Sequence, residues 1–123
     1  MSIMFAAYRE LLRLEYPLFR KAFPAIYDRV RRTPLALRPR NTFRYKEICH
    51  AVDLAAVFYF RNVLCLQRSA ATACLLKRYG FPAQLVIGVQ QMPFAAHAWV
   101  EMSGLVINDK PYMSDIYSVL ARC

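Results

Sequence analysis

The chain has 123 residues, which is enough for one domain with a modest hydrophobic core. Hydrophobic residues make up 58% of it and only 3 residues are glycine, a composition that excludes an intrinsically disordered chain. The formal net charge is +9, and 12 of the 17 Lys and Arg residues lie in residues 1–64. This half could therefore contact nucleic acid, an anionic membrane surface or an acidic peptide.

The N-terminal third is predicted to be helical. A first helix spans residues 2–16, because apolar side chains recur at helical spacing while arginines lie on another face. Pro17 and Pro24 are predicted to break this pattern, with short helical pieces continuing to Arg32. Residues 33–42 carry two prolines and no periodicity, which indicates a linker or extended arm.

Two further helices follow this linker. Asn41 or Thr42 can cap a helix over residues 43–60, in which apolar residues fall at helical intervals. The next helix is predicted over residues 65–79. Gly80 suits the left-handed position after a helix, and the proline two residues later prevents continuation.

The last third is predicted to form a small antiparallel sheet. Residues 83–89 are an apolar run typical of a buried strand, and residues 90–94 are predicted to form a loop. Residues 96–102 and 105–109 are predicted to form a hairpin that turns at a Ser-Gly pair. Residues 112–120 are predicted to form a short helix or an irregular tail.

These elements predict an α+β fold. N-terminal helices precede a central helix that starts at Cys65, and a small antiparallel sheet completes the fold. Residues 1–42 are interpreted as a basic helical lead-in and linker, and residues 43–123 as the core, within one compact domain overall.

Three residues with complementary chemistry occur in order within the predicted core. Cys65 lies at a helix start, His97 on a strand and Asp109 on the strand after it. In acyl transfer a thiolate attacks a carbonyl, an imidazole moves the proton and a carboxylate orients the imidazole. The unpaired N–H groups and the helix dipole at a helix start stabilise a thiolate and can bind an oxyanion.

The register of the predicted hairpin decides whether two members of this trio can meet. A two-residue turn places Asp109 opposite Ala98, on the wrong face of the hairpin for contact with His97. A three-residue turn over residues 102–104 pairs His97 directly with Asp109, and this turn favours glycine at its last position, where Gly104 stands. The sequence therefore predicts the three-residue turn.

Other residues are candidates for contacts with a substrate. Trp99 is predicted to lie on the same strand face as His97 and could form one side of the site; the alternative is that it packs in the core. Phe94 and Met92 could line a peptide groove or pack as ordinary loop residues. Gln67 is a candidate second oxyanion donor beside the backbone N–H of the nucleophile, with Trp99 and Asn62 as alternatives.

Four segments of the chain carry recognisable motifs. They are CLQRS at the helix start, LLKRYGFPAQLVIGV across the helix end and strand, PFAAHAWVE around the histidine and INDKP around the aspartate. In these segments the chain resembles the transglutaminase-like cysteine proteases of lasso-peptide biosynthesis, the leader-peptidase half of a split processing system. The resemblance covers the C-terminal half, whereas the N-terminal half matches in character only.

The resemblance implies a papain-like or transglutaminase-like core with Cys65 as nucleophile, His97 as general base and acid, and Asp109 as orienting carboxylate. It implies removal of the leader from a ribosomally made precursor peptide, leaving a new N-terminus for a separate macrolactam-forming enzyme. A separate leader-binding companion protein is an expected partner. Basic residues that could contact the leader or the companion are Arg29, Arg31, Arg32, Arg38 and Arg40.

Three other functions remain as alternatives. A transglutaminase would use the same trio but transfer the acyl group to an amine, and a pathway adaptor would use none of it catalytically. Nucleic-acid binding through the basic half is the third, although the chain has no basic recognition helix and no interleaving of aromatic and basic residues typical of RNA-binding surfaces. Binding of nucleic acid is therefore not expected.

No cofactor and no metal are expected, because the four cysteines form no CxxC pair and the two histidines have no zinc-ligand spacing. A secretory signal is not expected, since Arg9 and Glu10 precede any apolar stretch. The longest run without charge, residues 81–100, contains two prolines and a glycine, so membrane insertion is not expected either. The sequence predicts a cytoplasmic protein with reduced thiols.

Overall fold

The computed structural model describes residues 3–19, 23–36, 43–60 and 63–123, and these residues form an α+β structure. The helices are α1 (Ile3–Phe19), α2 (Phe23–Arg32), α3 (Tyr45–Val57), α4 (Cys65–Arg78) and α5 (Met113–Ile116). The strands are β1 (Ala83–Gln91), β2 (Phe94–Met102), β3 (Leu105–Val106) and β4 (Ser118–Arg122). They form one antiparallel sheet in the order β3-β2-β1-β4. The predicted α+β class is confirmed.

Helix α4 lies at the centre of the molecule, where it packs against α1, α2, α3 and one face of the sheet. Ala70, Ala73 and Leu76 of α4 are fully buried, and the two alanines allow neighbouring elements to approach closely. One hydrophobic cluster therefore joins α1 and α2 to α3, α4 and the sheet. The predicted boundary at residue 42 remains a prediction, because residues 37–42 lie outside the described part of the chain.

Helix α1 is longer than predicted, since it continues past Pro17 to Phe19. Its preceding turns bury Ala7, Leu11 and Leu14. Burial of a leucine side chain contributes about 1.5–3 kcal/mol, so two such residues offset the helical hydrogen bond that proline removes. Helix α2 then ends at Arg32, which confirms the predicted helical piece there.

Helix α3 is shorter than the predicted range of residues 43–60. It begins at Tyr45 after Arg44, and the predicted caps Asn41 and Thr42 lie outside the described residues. It ends at Val57, and of the residues in the predicted last turn only Tyr59 is buried, whereas Phe58 and Phe60 are 71% and 65% exposed.

The end of α4 follows the sequence prediction closely. Gly80 adopts a φ of 91°, its N–H donates to Lys77 O at 3.1 Å, and the N–H of Phe81 donates to Leu76 O at 2.9 Å. This pair of bonds is the Schellman arrangement, which satisfies the last carbonyls of a helix when a glycine occupies the left-handed position. The predicted helix stop is therefore confirmed.

The sheet differs from its prediction at both ends. β1 and β2 continue into the predicted loop, so that Met92 and Pro93 alone connect them through a cis peptide bond. At the other end, residues 113–116 form the predicted short helix, α5, and β4 follows it as an unpredicted strand that pairs with β1. Its side chains alternate between exposed and half-buried positions, as in an edge strand, and five such residues give only a weak periodic signal.

The predicted three-residue turn between β2 and β3 is wrong. Met102 pairs with Leu105, which leaves a two-residue turn at Ser103 and Gly104 with φ values of 55° and 79°. Positive φ at both central positions is the type I′ geometry, whose twist matches that of paired strands. Ser103 is exposed at this tip. The turn thus matches the twist of the strands, although one residue other than glycine adopts a left-handed conformation.

Asp109 reaches His97 in spite of this register, because the chain leaves the sheet early. The N–H of Ile107 donates to Val100 O at 3.0 Å, but the N–H of Val100 donates to Asn108 Oδ1 at 2.7 Å instead of to a backbone carbonyl. The Asn108 side chain thus takes the place of the next ladder bond. The chain that follows bends away from the strand direction and returns toward His97.

The face of the sheet opposite α4 carries a second, smaller cluster formed by Val86, Trp99 and Met113, with Tyr117 packed against it. Gly88 allows this packing. A Cβ atom there would lie 2.6 Å from Trp99 Cη2 and 2.7 Å from Tyr117 Cβ. None of the helices in the described residues is long and apolar enough to cross a membrane.

We expect Gly88→Ala to lower the free energy of unfolding by roughly 1–3 kcal/mol, because the added methyl group forces Trp99 or Tyr117 to move. Urea unfolding monitored by tryptophan fluorescence measures this change. Gln84→Ala, at an exposed position on the same strand, is the matched control and should change stability by no more than about 0.5 kcal/mol. Equal effects of the two substitutions would contradict the steric argument.

Candidate active site

Cys65 is the first residue of α4 and is partly exposed. Leu64 precedes it in an extended conformation, with φ −80° and ψ 164°, and makes no side-chain cap. The first intrahelical bond runs from the N–H of Arg68 to Leu64 O at 3.0 Å. The backbone N–H groups of the first turn therefore have no partner within the helix and surround the sulfur with positive partial charge.

His97 and Asp109 form a direct pair. His97 Nε2 lies 2.7 Å from Asp109 Oδ2, and the two side chains are 23% and 17% exposed. An ionised carboxylate only accepts hydrogen bonds, so Nε2 carries the proton in this pair and Nδ1 is left with a free lone pair. The imidazole is thus held in the tautomer that can accept a proton at Nδ1.

The other oxygen of Asp109 is also bound, since Oδ1 accepts the N–H of Lys110 at 2.8 Å. Burial raises the pKa of Asp109, but the hydrogen bonds from His97 and from the Lys110 backbone outweigh this effect and hold the pKa below its ordinary value. Asp109 is therefore ionised at neutral pH and oriented by two donors.

Two aromatic rings pack against the imidazole of His97 and against each other, with their own centroids 6.0 Å apart. The imidazole centroid lies 5.5 Å from that of Tyr117 and 6.2 Å from that of Trp99, with interplanar angles of 24° and 26°. Trp99 is itself fixed, because it is fully buried and its Nε1 donates to Glu101 Oε2 at 2.8 Å. Stacking restricts the tilt of the imidazole, while Asp109 restricts its rotation.

Cys65 and His97 face a common pocket of about 110 Å³. Its walls are mostly apolar and come from the start of α4, from β1 and from β2. The lining residues are Cys65, Leu66, Ile87, Ala96, His97 and Ala98. The structure thus places Asp109 in direct contact with His97, and His97 and Cys65 in the lining of one pocket.

Charged residues outside the predicted trio also influence the pKa values of carboxylates near the site. Arg68, one turn after Cys65, lies 3.9 Å from Asp53 of α3, and its positive charge also lowers the pKa of Asp109. Burial raises the pKa of Asp53, and the negative charge of Asp109 adds to this rise. Arg68 therefore separates two carboxylates near the site.

A family model described as the transglutaminase-like superfamily matches residues 10–122. This range is most of the chain and includes every residue of the pocket. The chain belongs to the transglutaminase-like superfamily. The family resemblance predicted from the motifs is thereby confirmed.

A curated relative adds a second comparison. The microcin J25-processing protein McjB of Escherichia coli is 49% identical over 73 residues, which are 57% of this chain and 35% of that protein. The chain thus spans about a third of the length of this relative. No solved structure matches the chain.

In this transglutaminase-like chain, the other predicted contact residues lie away from the pocket walls. Gln67 is fully buried, and its Nε2 donates to Leu11 O and Glu15 Oε2, both at 3.1 Å. Its amide thus joins α4 to α1 and makes no contact with Cys65. Trp99 lies behind the imidazole, and Met92 and Phe94 are 92% and 77% exposed at the β1–β2 turn.

The remaining cysteines are poor nucleophiles for reasons of burial. Desolvation raises the pKa of Cys49 to about 11, with the charge of Asp53 as a second cause. Burial also raises the pKa of Cys74, which lies against Thr33, and of Cys123. Within the described residues no group of three or more His, Cys, Asp or Glu could hold a metal ion.

The predicted basic patch is only partly described. Arg31 and Arg32 of α2 both form ion pairs with Asp28, at 2.6 Å and 2.8 Å. Arg38 and Arg40 lie outside the described residues. The role of this patch in contacting a leader or companion remains a prediction.

Sequence reasoning missed Asn108 and Ser69. Asn108 Nδ2 donates to Ser69 Oγ at 3.1 Å, which links the loop before Asp109 to α4. The signal in the sequence was present but weak: Asn108 is the fourth of the five residues in the predicted strand, and an asparagine there favours an irregular backbone.

The lowered pKa of Asp109 predicts a specific pH dependence of stability. A carboxyl whose folded-state pKa lies below its unfolded value of about 3.9 stabilises the fold above that pH, and this contribution disappears as the pH falls through the folded pKa. Asp109→Asn should therefore lower the free energy of unfolding at about pH 7, and the difference from wild type should shrink toward about pH 3.

Urea unfolding of both proteins across this pH range tests the expectation. Asp115→Asn, at an exposed position of α5, is the matched control for loss of one negative charge. A difference between wild type and Asp109→Asn that grows as the pH falls would contradict the assigned hydrogen bonds.

Proposed function

We propose that this chain is a cysteine peptidase that removes the leader from a ribosomally made lasso-peptide precursor by acyl transfer to water. The proposal rests on the 2.7 Å contact between His97 Nε2 and Asp109 Oδ2, next to a pocket that His97 shares with Cys65. The 49% identity to McjB, whose name describes processing of microcin J25, supports the class of substrate.

The proposed reaction begins with activation of the thiol. Since His97 Nε2 is bonded to Asp109, Nδ1 accepts the proton of Cys65 Sγ. Among the hydrogen bonds of the described residues, none joins this sulfur to the imidazole. The proposed reaction requires the two groups to come into contact in the substrate complex, as catalytic hydrogen bonds of hydrolases commonly do.

The thiolate then attacks the carbonyl carbon of the scissile peptide bond. The carbonyl oxygen becomes an oxyanion, for which the backbone N–H of Cys65 and its first-turn neighbours are the proposed donors. His97 gives its proton to the leaving amine, which departs as the new N-terminus of the core peptide. A thioester between the leader and Cys65 remains.

Water resolves this thioester. His97 Nδ1 takes a proton from the water as it attacks, and the thiolate of Cys65 leaves and regains a proton from the imidazolium. The leader is released as a carboxylic acid, so the cycle consumes one water molecule and regenerates the free enzyme. Asp109 keeps the imidazole oriented and stabilises its charged form throughout.

Two partners belong to this proposal. A separate leader-binding companion protein would present the precursor, and a macrolactam-forming enzyme would consume the new N-terminus. The proposed location is the cytoplasm, where ribosomal precursors are made and thiols stay reduced.

The first prediction from this function concerns the reactivity of the thiols. Brief treatment with iodoacetamide at neutral pH should label Cys65 before Cys49 and Cys74, because those two are buried with raised pKa values. His97→Ala should slow labelling of Cys65 without speeding that of the buried thiols. Mass spectrometry of digested protein measures both rates, and Ser118→Ala is the control for an exposed substitution.

The second prediction concerns the product. With a synthetic lasso-peptide precursor, the companion protein and an added primary amine, the mass of the released leader should be that of the free acid. An amide between leader and amine would indicate a transglutaminase instead. Cys65→Ala should abolish cleavage, and His97→Ala should reduce kcat by about 100-fold or more. Unchanged processing by Cys65→Ala would contradict the proposed enzymatic function and would indicate that the protein acts as an adaptor.

A further inference from the structure

Asn108 lies at a junction between α4, which begins at Cys65, strand β2, which carries His97, and the segment after β3, which carries Asp109. Its Oδ1 accepts the N–H of Val100 at 2.7 Å, and its Nδ2 donates to Ser69 Oγ at 3.1 Å. Ser69 is fully buried, and its Oγ in turn donates a hydrogen bond to Ala98 O at 3.0 Å. Ala98 of β2 is thus bonded directly to Ser69 of α4, and Val100 of β2 is linked to the same serine through the side chain of Asn108.

The same side chain determines where Asp109 goes. In the observed two-residue register, a continued strand would place Asp109 opposite Ala98, on the face away from His97. The Oδ1 atom of Asn108 replaces the backbone acceptor that this continued strand would supply to Val100. The strand can therefore end without leaving a buried N–H unpaired.

We propose that Asn108 is a positioning residue that sets the His97–Asp109 pair relative to Cys65. Asn108 adjoins Asp109 in the chain and is tied to α4 four residues after Cys65, at Ser69. Its effect on catalysis rests on the peptidase function proposed above, whereas its effect on the His97–Asp109 contact is independent of the substrate.

The chemistry of the junction requires an amide. The single proton of the Ser69 hydroxyl goes to Ala98 O, so a donor must fill the lone pair that faces Asn108. The N–H of Val100 needs an acceptor at the same time. An aspartate would satisfy Val100 but repel the lone pair of Ser69, and an alanine would satisfy neither. A buried polar group that loses its partner is costly, so both changes should disturb the junction.

The experiment compares Asn108→Ala and Ser69→Ala with wild type and with Ser118→Ala, a control at an exposed serine of β4. The first readout needs no peptide: the ring N–H of His97 that is bonded to Asp109 should give an exchange-protected signal in ¹H–¹⁵N spectra. The second is the rate at which iodoacetamide labels Cys65. The third readout is the pair of constants kcat and KM, each determined for cleavage of a synthetic precursor.

We expect Asn108→Ala to lose the protected N–H signal and to lower kcat by roughly 10- to 100-fold, with KM changed by no more than about 2-fold. Ser69→Ala keeps the acceptor for Val100, so its losses should be smaller. In the double variant the effects should be less than additive, since both substitutions remove one shared bond. Ser118→Ala should match wild type in all three readouts.

Retention of the protected signal and of the Cys65 labelling rate in folded Asn108→Ala would overturn the proposal. If Asn108→Ala does not fold, Ser69→Ala decides in the same way, because it removes the link to α4 while the strand end stays satisfied. Failure of the proposed peptidase function gives a different result. Wild type would then cleave no precursor, and the labelling rate of Cys65 would be the same with and without His97. The NMR signal of the His97 ring N–H would still test the role of Asn108.

Discussion

Burial of α4 on three sides is the constraint on which the rest of the structure depends. Residues Ser69–Leu76 of this helix are all buried between the N-terminal helices and the sheet. A helix packed in this way cannot slide or rotate without opening cavities along its length. Its first residue, Cys65, therefore has a defined position although it lies at the edge of the core and contacts solvent.

The imidazole and the carboxylate depend on a different kind of interaction. Aromatic packing restrains the plane of His97, since Trp99 and Tyr117 both contact its ring and each other, and Gly88 leaves room for both. Hydrogen bonds set the rotation of the ring and the place of Asp109, and they have a strict directional requirement that packing lacks. The site combines tolerant packing with a few bonds that tolerate little displacement.

Much of the fold follows from local sequence signals. Hydrophobic periodicity predicted the helix that begins at Cys65, and the requirement for positive φ at Gly80 predicted its end. The class of fold and the order of the trio along the chain came from the same signals. Where packing outweighed a local preference, prediction failed: α1 continues through Pro17, and an unpredicted edge strand follows α5.

The β2–β3 hairpin shows which features follow from local sequence signals and which form only in the folded chain. The sequence determined that Cys65, His97 and Asp109 follow one another, the first at a helix start and the other two on neighbouring segments, because these features depend on residues close together in the chain. The predicted register was wrong, and yet His97 and Asp109 meet. Their contact depends on Asn108, whose side chain bonds to Val100 and Ser69. Those partners lie 8 and 39 residues away, so only the folded chain brings them within reach of one amide.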